Sequence, residues 1–207
     1  MKTSYNRLLV LVFTLFILAT KAAYASSNHG YAVDLLKGEG NVTGAKLAYQ
    51  YHPQGMQNFV GDARFYLETS VNVWQYRHDQ QSQSNVVLAV SPVVQFPAFS
   101  VYNTPFYVEA GIGFSLLDER YFAGKNLSTH YQFEDRIGLV ADFGETNVAL
   151  RIIHYSNAGF KAPNPGINFL TLSVAQRFYM CVITSMSVLV FVIADGKSIT
   201  LAAPLHS

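Results

Sequence analysis

Arg64-Phe65-Tyr66-Leu67-Glu68-Thr69-Ser70-Val71-Asn72-Val73-Trp74 alternates along its whole length. Successive side chains of an extended chain point to opposite sides. Phe65, Leu67, Thr69, Val71 and Val73 therefore share one face, and Arg64, Tyr66, Glu68, Ser70, Asn72 and Trp74 share the other. A period of two predicts a strand with two unlike faces. The pattern returns in Phe106–Leu116, where Val108, Ile112 and Phe114 oppose Tyr107, Glu109 and Ser115, and again in Arg136–Phe143. Further alternating segments are Tyr31–Leu36, Val42–Tyr51, Val86–Phe96, Thr146–Ser156 and Gly166–Phe178. Turn signals such as QGMQN, GKN and GET lie between them, so the chain reads as about eight strands.

Which face meets water decides the class. The polar faces carry Asp34, Lys46, Arg64, Glu68, Glu109, Arg136 and Arg151, charges of both signs. In a soluble sandwich or lipocalin-like barrel these would point outward. In an outer-membrane barrel the sense inverts, with apolar residues toward lipid and polar ones inside. The apolar faces are nearly pure and uniformly large. Aromatic residues gather at strand ends (Tyr49, Tyr51, Phe59, Trp74, Tyr76, Phe96, Phe106 and Phe143), as membrane girdles require. The expected fold is all-β, an eight-stranded antiparallel transmembrane β-barrel of the outer membrane. A barrel of this strand number has an interior that side chains fill, and the opposite charges inside would neutralise one another.

The 207 residues carry a formal net charge of +1 and no basic stripe, which argues against nucleic acid as a partner. Lys2 and Arg7 flank an apolar run, Leu8 to Ala19, followed by Ala23-Tyr24-Ala25 and Ser26. A basic start, a short apolar run and a small-residue site predict a secretory signal peptide over residues 1–25. Cys181 is the single cysteine, so no internal disulfide framework is expected. The barrel domain is expected over residues 26–178. Residues 179–207 form an atypical apolar tail without alternation, too short in its apolar core, Met180 to Ala194, to span a bilayer as a helix. A frameshifted or read-through end is one origin for such a tail.

A polar patch interrupts the last two strands. Val148, Leu150, Ile152, His154 and Ser156 share a face, and Asn168 shares one with Leu170, Leu172 and Val174. All three polar residues thus fall on the apolar, outward face. If Ser156 pairs with Gly166, antiparallel register sets His154 opposite Asn168, with the loop 157–165 arching over them. With the N-terminus on the periplasmic side, the strand ending at Ser156 runs outward, and the cluster lies level with the outer leaflet. A Ser, a His and an Asn together suit covalent ester hydrolysis: nucleophile, base, and a group orienting the imidazole. His29, His52, His78, His130 and His206 show no metal-ligand spacing, and no metal or organic cofactor is expected.

The stretch His154-Tyr155-Ser156-Asn157-Ala158-Gly159, continuing through Pro163-Asn164 to Gly166-Ile167, resembles the lipid A 3-O-deacylase (PagL) family. The resemblance implies an eight-stranded outer-membrane barrel that hydrolyses the 3-O-linked acyl chain of lipid A in lipopolysaccharide, releasing a fatty acid. It places the family's histidine and serine on His154 and Ser156. The oxyanion and site loop would be Asn157, Gly159 and Asn164, with the Asn164 side chain and the Gly159 N–H as first choice. Pro163 and Pro165 would stiffen this loop. The resemblance implies no cofactor, names lipopolysaccharide and the outer membrane as partners, and leaves a homodimer open. One departure stands out: the family's third member is a Glu, and here it is Asn168. Asn168 can accept a bond from the imidazole but has no charge, which predicts a weaker enzyme. Asp142 or Glu145 could supply charge, although the parity of Asp142 turns it inward. The alternative is a non-catalytic or degenerate small outer-membrane barrel.

Overall fold

The computed structural model describes residues 28–53, 62–79, 81–178, 191–194 and 197–200. The strands are β1 (His29–Gly38), β2 (Val42–Tyr51), β3 (Arg64–His78), β4 (Gln81–Val101), β5 (Thr104–Leu117), β6 (Tyr121–Phe122), β7 (Lys125–Asn126), β8 (Tyr131–Asp142), β9 (Thr146–Ser156), β10 (Ile167–Phe178), β11 (Phe191–Ala194) and β12 (Lys197–Thr200). Eight of them close into a barrel in the order β1-β10-β9-β8-β5-β4-β3-β2. Every pairing around it is antiparallel, and β1 meets β10 over the full register from His29↔Phe178 to Gly38↔Phe169. Closure leaves no sheet edge unpaired, which is what a strand protein needs in lipid. β6 and β7 form a small hairpin outside the barrel, and β11 and β12 form another. The signal peptide expected over residues 1–25 lies outside the described residues, as do residues 179–190 of the tail.

The alternation read from Arg64–Trp74 is realised inside out. Leu67, Val71 and Val73 are exposed, while Tyr66, Glu68, Asn72 and Trp74 are buried. The same holds around the barrel: Leu35, Ile112, Leu150, Ile152, Leu170 and Leu172 are each at least half exposed. Soluble monomers rarely expose apolar patches beyond a few hundred Å². So largely apolar an outer wall is the surface of a barrel built for lipid. This rules against the lipocalin-like alternative, whose outer face would be polar.

The inward residues fill the barrel with a charge network. Lys46 Nζ lies 2.7 Å from Glu68 Oε1, and Arg136 donates to Glu68 at 2.7 Å and also to Glu134. Arg151 Nε meets Glu109 Oε1 at 2.7 Å, and its Nη1 meets Asp34 at 3.4 Å. Tyr66 and Gln95 each donate to Glu109 at 2.8 Å. Burying an unpaired charge is costly, so inward charges must meet partners. Gly138 makes room for one of them: a Cβ there would sit 2.7 Å from Arg151 Cγ.

Two aromatic residues expected in the girdle turn inward. Trp74 is fully buried, and Tyr76 packs against the same interior cluster. Their parity is that of Glu68 and Asn72, and parity outranks proximity to a strand end. The Trp74 ring centroid lies 4.8 Å from that of Tyr155, edge to face, and 4.7 Å from that of the tilted Phe169 ring, with Phe122 beside it, forming an aromatic layer above the charge network. At the other end, Tyr49, Tyr51, His29 and Phe178 gather, as do Phe99 and Phe106, and this part of the expected girdle is present. Phe59 lies outside the described residues.

Candidate active site

The site is built where β9 leaves the barrel. Tyr155 anchors it from within: its ring packs on Trp74 and its hydroxyl donates to Glu134 at 2.7 Å. With Tyr155 held inside, its neighbours His154 and Ser156 must face out. The β9–β10 register sets Asn168 opposite His154 and Ile167 opposite Tyr155, as the sequence spacing predicts. His154 Nδ1 and Asn168 Oδ1 are 2.7 Å apart. Ser156 is 8 % exposed although it faces outward, because the loop beyond it folds back: Phe160 packs 6.0 Å from Phe133, the β8 register partner of Ser156. Among the described residues no hydrogen bond joins Ser156 to His154. Such contacts are often loose in a resting enzyme and tighten with substrate.

Asn157 organises the loop. Its side-chain oxygen accepts from Gly159 N–H at 3.0 Å, and its amide nitrogen donates to Lys161 O at 2.9 Å and Leu127 O at 3.3 Å. The Asn157 N–H donates to Asn164 Oδ1 at 3.1 Å, so the Asn164 carbonyl end is engaged and its NH₂ end points elsewhere. Gly166 closes the loop with φ at +61°, and a Cβ there would stand 2.6 Å from His154 Cε1. Only glycine combines that backbone with that approach to the imidazole. The segment around β6 and β7 clamps the loop from the side, through Ser128 Oγ to Pro163 O at 2.5 Å and Lys125 Nζ to Gly166 O at 3.0 Å.

The sequence-predicted residues His154, Ser156 and Asn168 thus stand together on the wall, with Asn157, Gly159 and Asn164 in the adjoining loop. Asp142 and Glu145 do not join them. Asp142 pairs with Asn147 at the start of β9 and is held by Arg64, whereas Ser156 ends that strand. Both acids lie at the opposite end of the barrel, and the suggestion that either charges the site is corrected. Two acids do reach the site: Asp135, the β8 register partner of His154, and Glu39, on the β1–β2 turn. Asn168 Nδ2 donates to Glu39 Oε1 at 2.5 Å, and Lys125 binds the other carboxylate oxygen. Glu39 is 129 residues from Asn168, and no local pattern links them. Barrel closure of β1 on β10 makes them neighbours. The hydrogen bond from Lys125, helped by that from Asn168 and opposed by partial burial, holds the Glu39 carboxyl below the usual carboxylate range. A shallow apolar groove of about 550 Å³, lined by Leu47, Val71, Leu88 and Val90 among others, lies on the β2–β4 wall and is separate from this site.

A closed barrel with an apolar outer wall, carrying an oriented histidine beside a serine at its rim, belongs to the class of ester-hydrolysing outer-membrane barrel enzymes. The comparisons place it within that class. The family model described as lipid A 3-O-deacylase (PagL) matches residues 43–177, and the chain belongs to this family. It is 32% identical over 127 residues to lipid A deacylase PagL of Pseudomonas aeruginosa, covering 61% of this chain and 72% of that protein. It is 42% identical over 74 residues to lipid A deacylase PagL of Bordetella bronchiseptica, covering 35% of this chain and 42% of that one, under half its length. The crystal structure of the outer membrane enzyme PagL superimposes with a TM-score of 0.63 at 25% identity, covering 72% of this chain and 99% of that chain.

Proposed function

We propose that this barrel is a serine hydrolase of the outer membrane that removes the 3-O-linked acyl chain of lipid A in lipopolysaccharide. The observation that carries the reading is the 2.7 Å contact between His154 Nδ1 and Asn168 Oδ1 on a wall that is predominantly apolar. A polar pair facing lipid calls for a use, and an imidazole with Nδ1 engaged offers Nε2 as a base. His154 takes the Ser156 Oγ proton as Oγ attacks the ester carbonyl carbon. The tetrahedral oxyanion is met by the free NH₂ of Asn164, while Gly159 N–H, bonded to Asn157 at rest, joins it if that bond yields. Collapse breaks the bond to the sugar oxygen, which takes the proton back from His154. Water, deprotonated by His154, then releases the fatty acid from Ser156. No metal or cofactor takes part in these steps.

Residues 1–25 act as the export signal and are removed, and residues 26–178 form the working domain. With the N-terminus periplasmic, the loop 157–166 faces outside, and Ser156 lies at the depth where ester-linked chains meet the headgroups. The second reading, a degenerate barrel, is favoured by Asn168 in place of an acid. One experiment separates them: lipid A treated with the refolded barrel, and with its Ser156→Ala variant, is analysed by mass spectrometry. Loss of one 3-hydroxyacyl mass with the unaltered chain alone is the expected result. No loss with both proteins folded would establish the degenerate reading.

A further inference from the structure

The acid absent from position 168 stands one hydrogen bond further out, and we propose that Glu39 is a positioning residue of this site, acting through the Asn168 amide to set the His154 tautomer and stabilise its imidazolium. The inference rests on the reading of His154 as base and Ser156 as nucleophile.

The argument runs along the chain of contacts. A carboxylate accepts hydrogen bonds and cannot donate them. Glu39 Oε1 therefore requires the NH₂ end of Asn168, which it meets at 2.5 Å. The carbonyl end of the same amide is left to face His154 Nδ1 at 2.7 Å. That nitrogen must then carry the proton, and Nε2 is left bare, the state a base needs. When Nε2 takes the serine proton, the ring becomes cationic. The pull of the carboxylate on the NH₂ group raises the negative charge on Oδ1 where the cation forms. Asn168 alone leaves either amide orientation, and so either tautomer, open.

The charged groups on the elements around His154 are few. Asp135 on β8 stands opposite it in register, and Glu39 with Lys125 lies beyond Asn168 on β10. The Nδ1 of His154 is turned to Asn168, not to Asp135. Lys125 offsets part of the Glu39 charge, but its second bond, to Gly166 O, ties the β1–β2 turn to the loop beside the imidazole. Because the Glu39 carboxyl is held below its ordinary range, it stays charged throughout the range in which a histidine titrates.

Glu39→Gln tests this in the full barrel. The variant has one oxygen where there were two. Lys125, a donor only, takes it, so the new NH₂ faces Asn168 and reverses that amide. His154 Nδ1 then becomes an acceptor and Nε2 holds the proton. We expect kcat to fall ~10²-fold or more, as wrong-tautomer substitutions do in serine hydrolases. The acid limb of the kcat/KM profile should move to lower pH by about 0.5 unit or more, since a charge that favours the imidazolium is gone. The ¹⁵N shifts of labelled His154 should report the proton on Nε2 in place of Nδ1. Adding Asn168→Glu, which brings a carboxylate directly to Nδ1, should restore at least ~10-fold of the lost rate. A merely structural Glu39 would lower the rate with the limb and tautomer unchanged and without rescue, and that result overturns the proposal. So does a limb that moves in Asp135→Asn and not in Glu39→Gln, which would assign the charge to β8. Full hydrolysis by Ser156→Ala would instead overturn the underlying reading, while the ¹⁵N tautomer still answers for Glu39.

Discussion

Inside the barrel, Arg136 meets Glu68 and Glu134, and Arg151 meets Glu109 and Asp34. On the rim, Glu39, Asn168 and His154 form a chain of the same kinds of group. The interior network closes largely on itself, with only Arg136 Nε and Nη1 and Asp34 Oδ1 among its charged groups left without a hydrogen bond. Its main carboxylates face cations, hydroxyls or amides on several sides, and little is left to react. The rim chain is open at one end, at His154 Nε2, which has no hydrogen bond among the described residues. The lesson is one of position. Buried charge that is paired on most sides fills space and sets register, whereas polar groups that open onto an apolar boundary are available for chemistry.

Substitutions can break this contrast from either side. Arg136→Met leaves Glu68 and Glu134 to share Lys46. Breaking a buried pair in this way costs about 3–5 kcal/mol. The urea midpoint of the refolded barrel should fall accordingly, while kcat of the folded fraction is unchanged. Asn164→Ala should do the reverse. Removing an oxyanion donor lowers kcat by ~10²–10³-fold, while the loss of the Asn157 N–H bond to Asn164 Oδ1 costs only about 1 kcal/mol of stability. Leu172→Arg probes the wall between the two regions. Leu172 is 50% exposed, and an arginine facing the bilayer midplane costs about 2–4 kcal/mol. A water-facing wall would accept it, so an unchanged midpoint in bilayers would sink the membrane reading of the outer face. A smaller stability effect than that of Arg136→Met is expected for Gly166→Ala, at about 1–2 kcal/mol for a side chain in the left-handed region. Its kcat should fall further than its stability, because the new Cβ meets the imidazole.

Much of this architecture was legible because strands write their two faces into adjacent residues. The parity of Arg64–Trp74 showed which side chains share a face, and the hairpin spacing set His154 opposite Asn168, as found. Trp74 and Tyr76 were misjudged where nearness to a strand end was read ahead of parity. The loop's polar groups were recognised as a set, yet their order was not: Asn157 engages the Gly159 N–H, and Asn164 turns its NH₂ end away from that bond.

The sequence by itself determined the alternation, the strand number, the inversion of the faces and the pairing of neighbours joined by one short loop. All of these depend on contacts local along the chain. Tertiary structure alone decided which acid serves the site. Asp142 is near in sequence but points inward at the far end, held by Arg64. Glu39 is remote in sequence, and it arrives only because the first strand closes on the last. Closure joins the ends of the chain, and no periodicity within a single strand encodes which turn will then lie beside which side chain.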